Sequence, residues 1–296
     1  MGENLTTSDQ SHCLNLVKEH ASDLYLCDLL LPEPLRHEIA VIHAFHVEIT
    51  NITLSMGDPM ASQIRLQWWC DVIDGQRDEE AQGHPVARAL MDVIKRYNLP
   101  HGSFVAKVQA HIFDLYNDPM GDRTMFEGYC GETRSCVFQW AVLIAGPTMA
   151  EKAADASGHA GVAVAIVNIL EHMAVLHNHG RVHVPSDLLQ AVGLDGASFL
   201  SKPGDQHRHC IEGLLELAWE HHAKALTALD EFAVSSGPKP SRKSSRNPQP
   251  VALRLVYKPL APLPVYLKSV QRDPLAVFGA RRRVSQLKKQ WAMWRF

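Results

Sequence analysis

A chain of 296 residues, 46% of them hydrophobic, can bury a sizeable core in one large domain or two small ones, and it reads as an ordinary globular protein. The net charge of −3 hides a division: residues 236–296 carry 14 Lys/Arg against one acid, Asp273, whereas the first 235 residues carry 15 Lys/Arg against 31 acids. An acidic body with no recognised binding motif argues against nucleic acid as a partner, and six cysteines without a CxxC pair argue against a zinc ribbon or a redox dithiol.

At the N-terminus, MGENLTTSDQSHC lacks a basic segment followed by an apolar one, so no secretory signal is expected and the expected location is cytoplasmic. MGENLT fits an acylation pattern too short to carry weight. Pro/Gly/Asp turn chemistry then punctuates the chain at PEPLR (32–36), GDP (57–59), LPHGS (99–103), NDPMGD (117–122), GLDG (193–196) and SKPGD (201–205). Between these breaks apolar residues recur three and four apart, as in Ser103 to Tyr116 and His209 to Ala233, which predicts helices; strand alternation is missing. The longest apolar runs, VFQWAVLIAG and GVAVAIVNIL, are ten residues each, short of a membrane span. The expected architecture is all-α, one helical bundle over residues 1–235, then a basic Ser/Pro linker over 236–250 and a basic helical tail over 251–296. Two readings of that tail stay open: a final helix docked by its apolar side with its charges outside, or a surface for anionic lipid or an acidic partner.

The most informative stretch is Gly161 to Pro185. Its helix is apolar around nearly its whole circumference, hence central, but Ala165, Asn168, His172 and Leu176 share one face. Two polar residues on a buried helix need partners or water, so that face is expected to border a cavity.

In this segment the sequence resembles the squalene/phytoene synthase family, whose signature helix reads G-x-A-x-Q-x-x-N-I-x-R-D-x-x-E-D-x-x-x-G-R-x-Y-x-P. The corresponding residues are Gly161, Ala163, Ala165, Asn168, Ile169, Glu171, His172, Val175, Leu176, Gly180, Arg181, His183 and Pro185. DLLLPEPLRHEIAVIHAF (28–45), IRLQWWCDVIDG (64–75) and YCGETRS (129–135) are similar to other family segments. The resemblance implies an isoprenoid synthase fold and, in active members, two acidic motifs that hold Mg²⁺ on a prenyl diphosphate. Here Thr50, Asn51 and Leu54 stand where the first motif is expected and His172 and Leu176 where the second is, so no cofactor is expected. The altered positions Thr50, Asn51, Leu54, Asn168, His172 and Leu176 are expected to line the cavity, with Arg181 and Tyr129 near a diphosphate or lipid headgroup.

AFHVEITNI (44–52) is similar to a divergent branch of the same family that includes a mitochondrial assembly factor for respiratory complex I. That resemblance implies a scaffold rather than an enzyme. Its implied partners are a prenyl lipid or prenyl diphosphate, a respiratory complex subunit, and an anionic membrane met through residues 236–296, with a peripheral place on an inner membrane. The alternative is an active head-to-head prenyltransferase using Mg²⁺ on atypical acids such as Glu48, Glu171 or Asp71. Three histidines, His43, His46 and His172, suggest a metal site less strongly than ordinary hydrogen-bonded rings do. His177, His179 and His183 are expected at an exposed helix end and His221 and His222 on a solvated face, while Trp68 and Trp69 are expected to pack. For Arg181, a salt bridge or a helix C-terminal contact is the plainer reading.

Overall fold

The computed structural model describes residues 6–33, 35–55, 57–235, 253–279 and 284–296, and among these there are helices and no strands. In chain order the helices are α1 Thr6–His20, α2 Ser22–Leu29, α3 Leu35–Leu54, α4 Pro59–Ile73, α5 Asp78–Gly83, α6 Pro85–Tyr97 and α7 His101–Ala110. After a 3₁₀ turn at Phe113–Leu115 come α8 Arg123–Cys130, a π-helical turn Gly131–Ser135, α9 Cys136–Ala145 and the long α10 Ala154–Asn178. The last group is α11 Ser186–Ala191, α12 Gly196–Phe199, α13 Asp205–Ser235, α14 Leu263–Arg272 and α15 Gln286–Arg295.

Local chemistry sets the boundaries. Asp58 and Asp122 cap α4 and α8 by accepting from backbone N–H groups of the first turn, and Pro59 and Pro85 occupy the first turn of α4 and α6, where a missing N–H costs nothing. Gly180 (φ 74°) stops α10 in the left-handed region, and the Arg181 N–H closes back on the Leu176 carbonyl at 2.9 Å. The helix expected over Ser103 to Tyr116 ends instead at Ala110. Beyond it the chain tightens into the 3₁₀ turn, because Asp114 is drawn inward to three donors described below.

At the centre lies α10, packed along α13 on one side and against the π-turn and α9 on another. By length and composition alone this helix could cross a membrane, unlike the ten-residue runs read from the sequence. In the fold it is a core helix, with Ala163, Ile166 and Leu170 all buried. Gly161 explains how closely it approaches the π-turn: a Cβ there would fall on the backbone and Oγ of Ser135. Across the bundle, Phe45, Trp69, Phe104 and Trp140 form an aromatic cluster, with Phe104 and Trp140 stacked at 3.7 Å. Trp69 is buried in it, and the neighbouring Trp68 packs edge-on and donates its indole N–H to Glu80 at 2.8 Å.

The C-terminal helices join the same body. Tyr257, Leu260 and Leu267 are fully buried in the main core; Tyr257 stacks on Phe138 and shares a hydrogen bond with Ser157 at 2.7 Å. In α15 the orientation differs from a helix that docks its apolar side and leaves its charges in water. Lys289 and Met293 face inward, while Leu287, Trp291 and Trp294 are exposed.

Candidate functional site

A cavity of about 870 Å³ runs between α3 and α10, within the usual range for small-molecule sites. The turn from α1 to α2, the π-turn with α9, and two stretches of the tail, Val256 to Tyr266 and Val284 to Lys289, supply its remaining walls. Its trunk is aliphatic and aromatic, with Val47, Val137, Phe138, Val164, Val167 and Leu263. On the tail side Asp23 accepts from Lys289 Nζ at 2.7 and 2.9 Å and from the Tyr266 hydroxyl at 2.7 Å, tying α2, α14 and α15 together.

A smaller annex of about 60 Å³ shares Thr50, Leu54, Asn168, His172 and Arg134 with the main cavity, and most of the residues around it carry polar side chains. Its floor is built on Asp114. One carboxylate oxygen accepts from the Tyr129 hydroxyl at 2.7 Å and from His183 Nε2 at 2.9 Å; the other accepts from His111 Nδ1 at 2.5 Å. Burial would raise the Asp114 carboxyl, but the two histidine contacts outweigh it and hold the group far below the usual carboxylate range. Burial, reinforced by the Lys107 charge, pushes His111 down to about 4, so its ring is neutral and its Nδ1–H is the donor. Burial and the Asp114 charge push the Tyr129 phenol well up, which keeps its proton in place. Behind His111, fully buried Lys107 donates to the Thr133 carbonyl at 2.5 Å, and burial brings its ammonium down to about 7.

Two arginines complete the annex. Half-buried Arg134, carried inward by the π-turn, donates to His46 Nε2; burial and the Arg134 charge lower His46 strongly, so this ring is neutral and accepts. Arg181 is buried and donates to the Thr53 carbonyl at 2.9 Å, an orphan acceptor in the last turn of α3. That is the helix C-terminal contact expected of it. The buried Nδ1 atoms of His46 and His183 have no hydrogen-bond partner among the described residues.

The residues singled out in the sequence fall as follows. Thr50, Asn51 and Leu54 from α3 and Asn168 and His172 from α10 line the main cavity, and Leu176, Arg181 and Tyr129 line the annex. Thr50 also spends its hydroxyl on the His46 carbonyl at 2.9 Å, and His172 Nδ1 bonds the Asn168 carbonyl at 2.8 Å. Of the three alternative acids, Glu171 lines the cavity. Asp71 lies elsewhere, on α4, where Gln67 and Arg77 hold it at 2.7 and 2.8 Å. Glu48 is not among the lining residues.

Several histidines depart from expectation. His183 is buried on Asp114 rather than exposed at a helix end. His221 and His222 are buried too: α13 is flanked on two sides, so the ring of His221 meets His159 at 3.0 Å and Glu127 at 3.4 Å, and His222 packs on Trp219. His177 is half-buried, bonded to the Phe199 carbonyl at 3.0 Å. His43 pairs with buried Asp28 at 2.8 Å, so it, His46 and His172 each have separate protein partners. Among the described residues no group of three or more His, Cys, Asp or Glu is placed to hold a metal ion.

With this geometry in view, the comparison with known proteins is specific. The squalene/phytoene synthase family model matches residues 17–288. The chain belongs to this family. Among curated relatives it is 27% identical over 197 residues to a bovine NADH dehydrogenase (ubiquinone) complex I assembly factor 6, covering 66% of this chain and 59% of the relative. The human assembly factor is 25% identical over 71% of this chain and 62% of its own length. A Thermus thermophilus phytoene synthase is 26% identical over 63% of each chain. The chain thus spans about three fifths of the curated relatives it matches. A dehydrosqualene synthase crystal structure superposes with a TM-score of 0.73 at 17% identity, covering 98% of this chain and 95% of that one, and an Alicyclobacillus acidocaldarius squalene synthase does so with 0.66 at 19%, covering 90% and 95%. These two establish the all-α isoprenoid synthase fold.

Active members of this family imply Mg²⁺, and the residues here do not fit it. Mg²⁺ wants octahedral oxygen ligation, largely from carboxylates when it bridges a diphosphate. The four α3 and α10 residues that line both spaces, Thr50, Leu54, Asn168 and His172, carry a hydroxyl, an aliphatic chain, an amide and an imidazole. The acids of the main cavity are Glu19 and Asp23 on the α1/α2 side and Glu171 on α10, and Asp23 is already bound to Lys289.

Proposed function

We propose that the protein is a family member that binds an isoprenoid chain without ionising it, and that it serves the assembly of a respiratory complex. One observation carries the first half: a cavity of about 870 Å³ persists with an aliphatic trunk and an annex that holds two arginines, while the α3 and α10 positions that line both carry no carboxylate. Such a space suits an apolar chain with a polar or anionic head, the chain beside Val164 and Phe138 and the head toward Arg134 and Arg181. Without facing carboxylates the metal charge that stabilises a departing diphosphate has nothing to hold it. The second half is supported by the similarity to complex I assembly factor 6 proteins.

Incubating the pure chain with farnesyl or geranylgeranyl diphosphate and Mg²⁺ tests the first half. Saturable binding without diphosphate release is expected; a C30 or C40 hydrocarbon product would overturn the reading. Deleting the chain in its host tests the second: NADH:ubiquinone oxidoreductase in the membranes is expected to fall, and an unchanged level of assembled complex would refute it. Glu171 keeps a second reading alive, an active prenyltransferase with atypical ligands, because it is the one proposed alternative acid that reaches the cavity. It stands one residue from His172, about 100° around the helix.

A further inference from the structure

α15 is held by one face and bare on the other. Its inner side is pinned by the Lys289 ammonium on Asp23 and on the Tyr266 hydroxyl at 2.8 Å, by buried Met293, and by Lys258 Nζ, which donates to the Met293 carbonyl at 2.6 Å. Its outer side presents Leu287, Trp291 and Trp294, 78, 59 and 76% exposed. Their spacing of four and three residues puts them in one stripe along the helix. Large apolar side chains in a row on an outer surface, on a helix fixed too firmly to fold them away, mark an interaction site.

The charge around the stripe selects its partner. α15 contains Lys288, Lys289 and Arg295 and no acid, and the Arg295 guanidinium lies over the Trp291 ring at 4.5 Å. The whole basic arm carries 14 Lys/Arg against one acid. Indole rings flanked by cations sit at the headgroup level of a bilayer, apolar body inward and charges on the phosphates. We propose that α15 is an interfacial anchor that lays the Leu287, Trp291 and Trp294 stripe into an anionic membrane surface. Because Gln286 and Lys289 line the cavity, the docked helix brings the cavity's tail wall against the lipid. The anchoring holds whether or not the cavity takes an isoprenoid.

The test uses the full chain with vesicles of phosphatidylcholine and of an equal mixture of phosphatidylcholine and phosphatidylglycerol. Sedimentation with the mixed vesicles is expected, together with quenching of tryptophan fluorescence by lipids brominated in the upper acyl chain. Trp291→Ser with Trp294→Ser is expected to lower partitioning about tenfold or more and to remove the quenching. Lys288→Glu with Arg295→Glu leaves the stripe intact and is expected to abolish the preference for the anionic vesicles. Equal partitioning of the wild type and the tryptophan variant overturns the proposal. So does wild-type binding without quenching, and so does failure of the wild type to sediment with the mixed vesicles, the outcome expected if the stripe instead serves an acidic protein; neither measurement depends on any variant folding.

Discussion

The two polar regions around α10 solve opposite problems. Beneath the annex, Asp114 is a buried charge with every oxygen engaged by His111, His183 and Tyr129. Above it, Thr50, Asn51, Asn168 and His172 are polar and half-buried, none is a carboxylate, and they border open space. A carboxylate kept in the interior of this fold is kept because the protein itself completes it. Where the bundle leaves room for a guest, the α3 and α10 residues shared by cavity and annex bring no carboxylate, and the acids of the main cavity are Glu19, Asp23 and Glu171.

The largest expected effect breaks the first region. Asp114→Ala leaves three donors facing an empty place, and breaking such a buried hub is expected to cost about 3–5 kcal/mol in denaturant unfolding. A loss below about 1 kcal/mol would mean that water replaces the carboxylate and that the network is not structural. Next in size is the approach that holds α10 to the π-turn. Gly161→Ala forces a methyl onto Ser135 and is expected to cost about 1–3 kcal/mol, visible as a lowered Tm.

A subtler effect concerns Lys107. Its folded value of about 7 lies below the ordinary 10.5, so between these limits the unfolded chain holds more protons and stability rises with pH. Below pH 7 both states are protonated and the cost of burying the charge is present in full. Lys107→Met is expected to remove that rise, so the difference in unfolding free energy between variant and wild type should shrink from pH 7 to pH 10; a constant difference would refute the assignment. The smallest effect belongs to the cavity wall. Thr50→Val and His172→Leu, replacing half-buried polar groups beside open space, are expected to change stability by about 1 kcal/mol or less. A large loss in either would show that the wall is structural like the floor.

Much of the fold was legible because helix periodicity and turn chemistry are local. The stops at NDPMGD and Gly180 and the buried character of Gly161 to Leu176 all follow from neighbours in the chain. The cavity wall was legible through the resemblance of Gly161 to Pro185 to a family helix. The floor was not. Lys107, His111 and Asp114 sit in a stretch whose apolar spacing continues a helix through Tyr116, and only the tertiary pull of His183 and Tyr129 on Asp114 breaks that helix. His183 next to a glycine reads as exposed, because nothing local shows that the chain after Gly180 turns back inward. Likewise Lys289 and Trp291, two residues apart, exchange the sides their polarity suggests, because Asp23 lies more than 260 residues earlier. For Arg134 the signal was available but weak: Gly131 opening a run after a Tyr-Cys pair is compatible with a wide helical turn without demanding one.

Gly161 against Ser135 has a mechanical consequence. Where helix and turn meet with only the small Ser135 side chain between them, itself bonded to the Gly158 carbonyl, there is little compressible layer, so that wall is stiff and gives little by rotamer changes. The opposite wall closes through long side chains, Lys289 and Tyr266 on Asp23, whose torsions can yield by an ångström without moving a backbone. Guests of different length are therefore accommodated at the expense of the tail, and strain from an oversized one arrives first at α15.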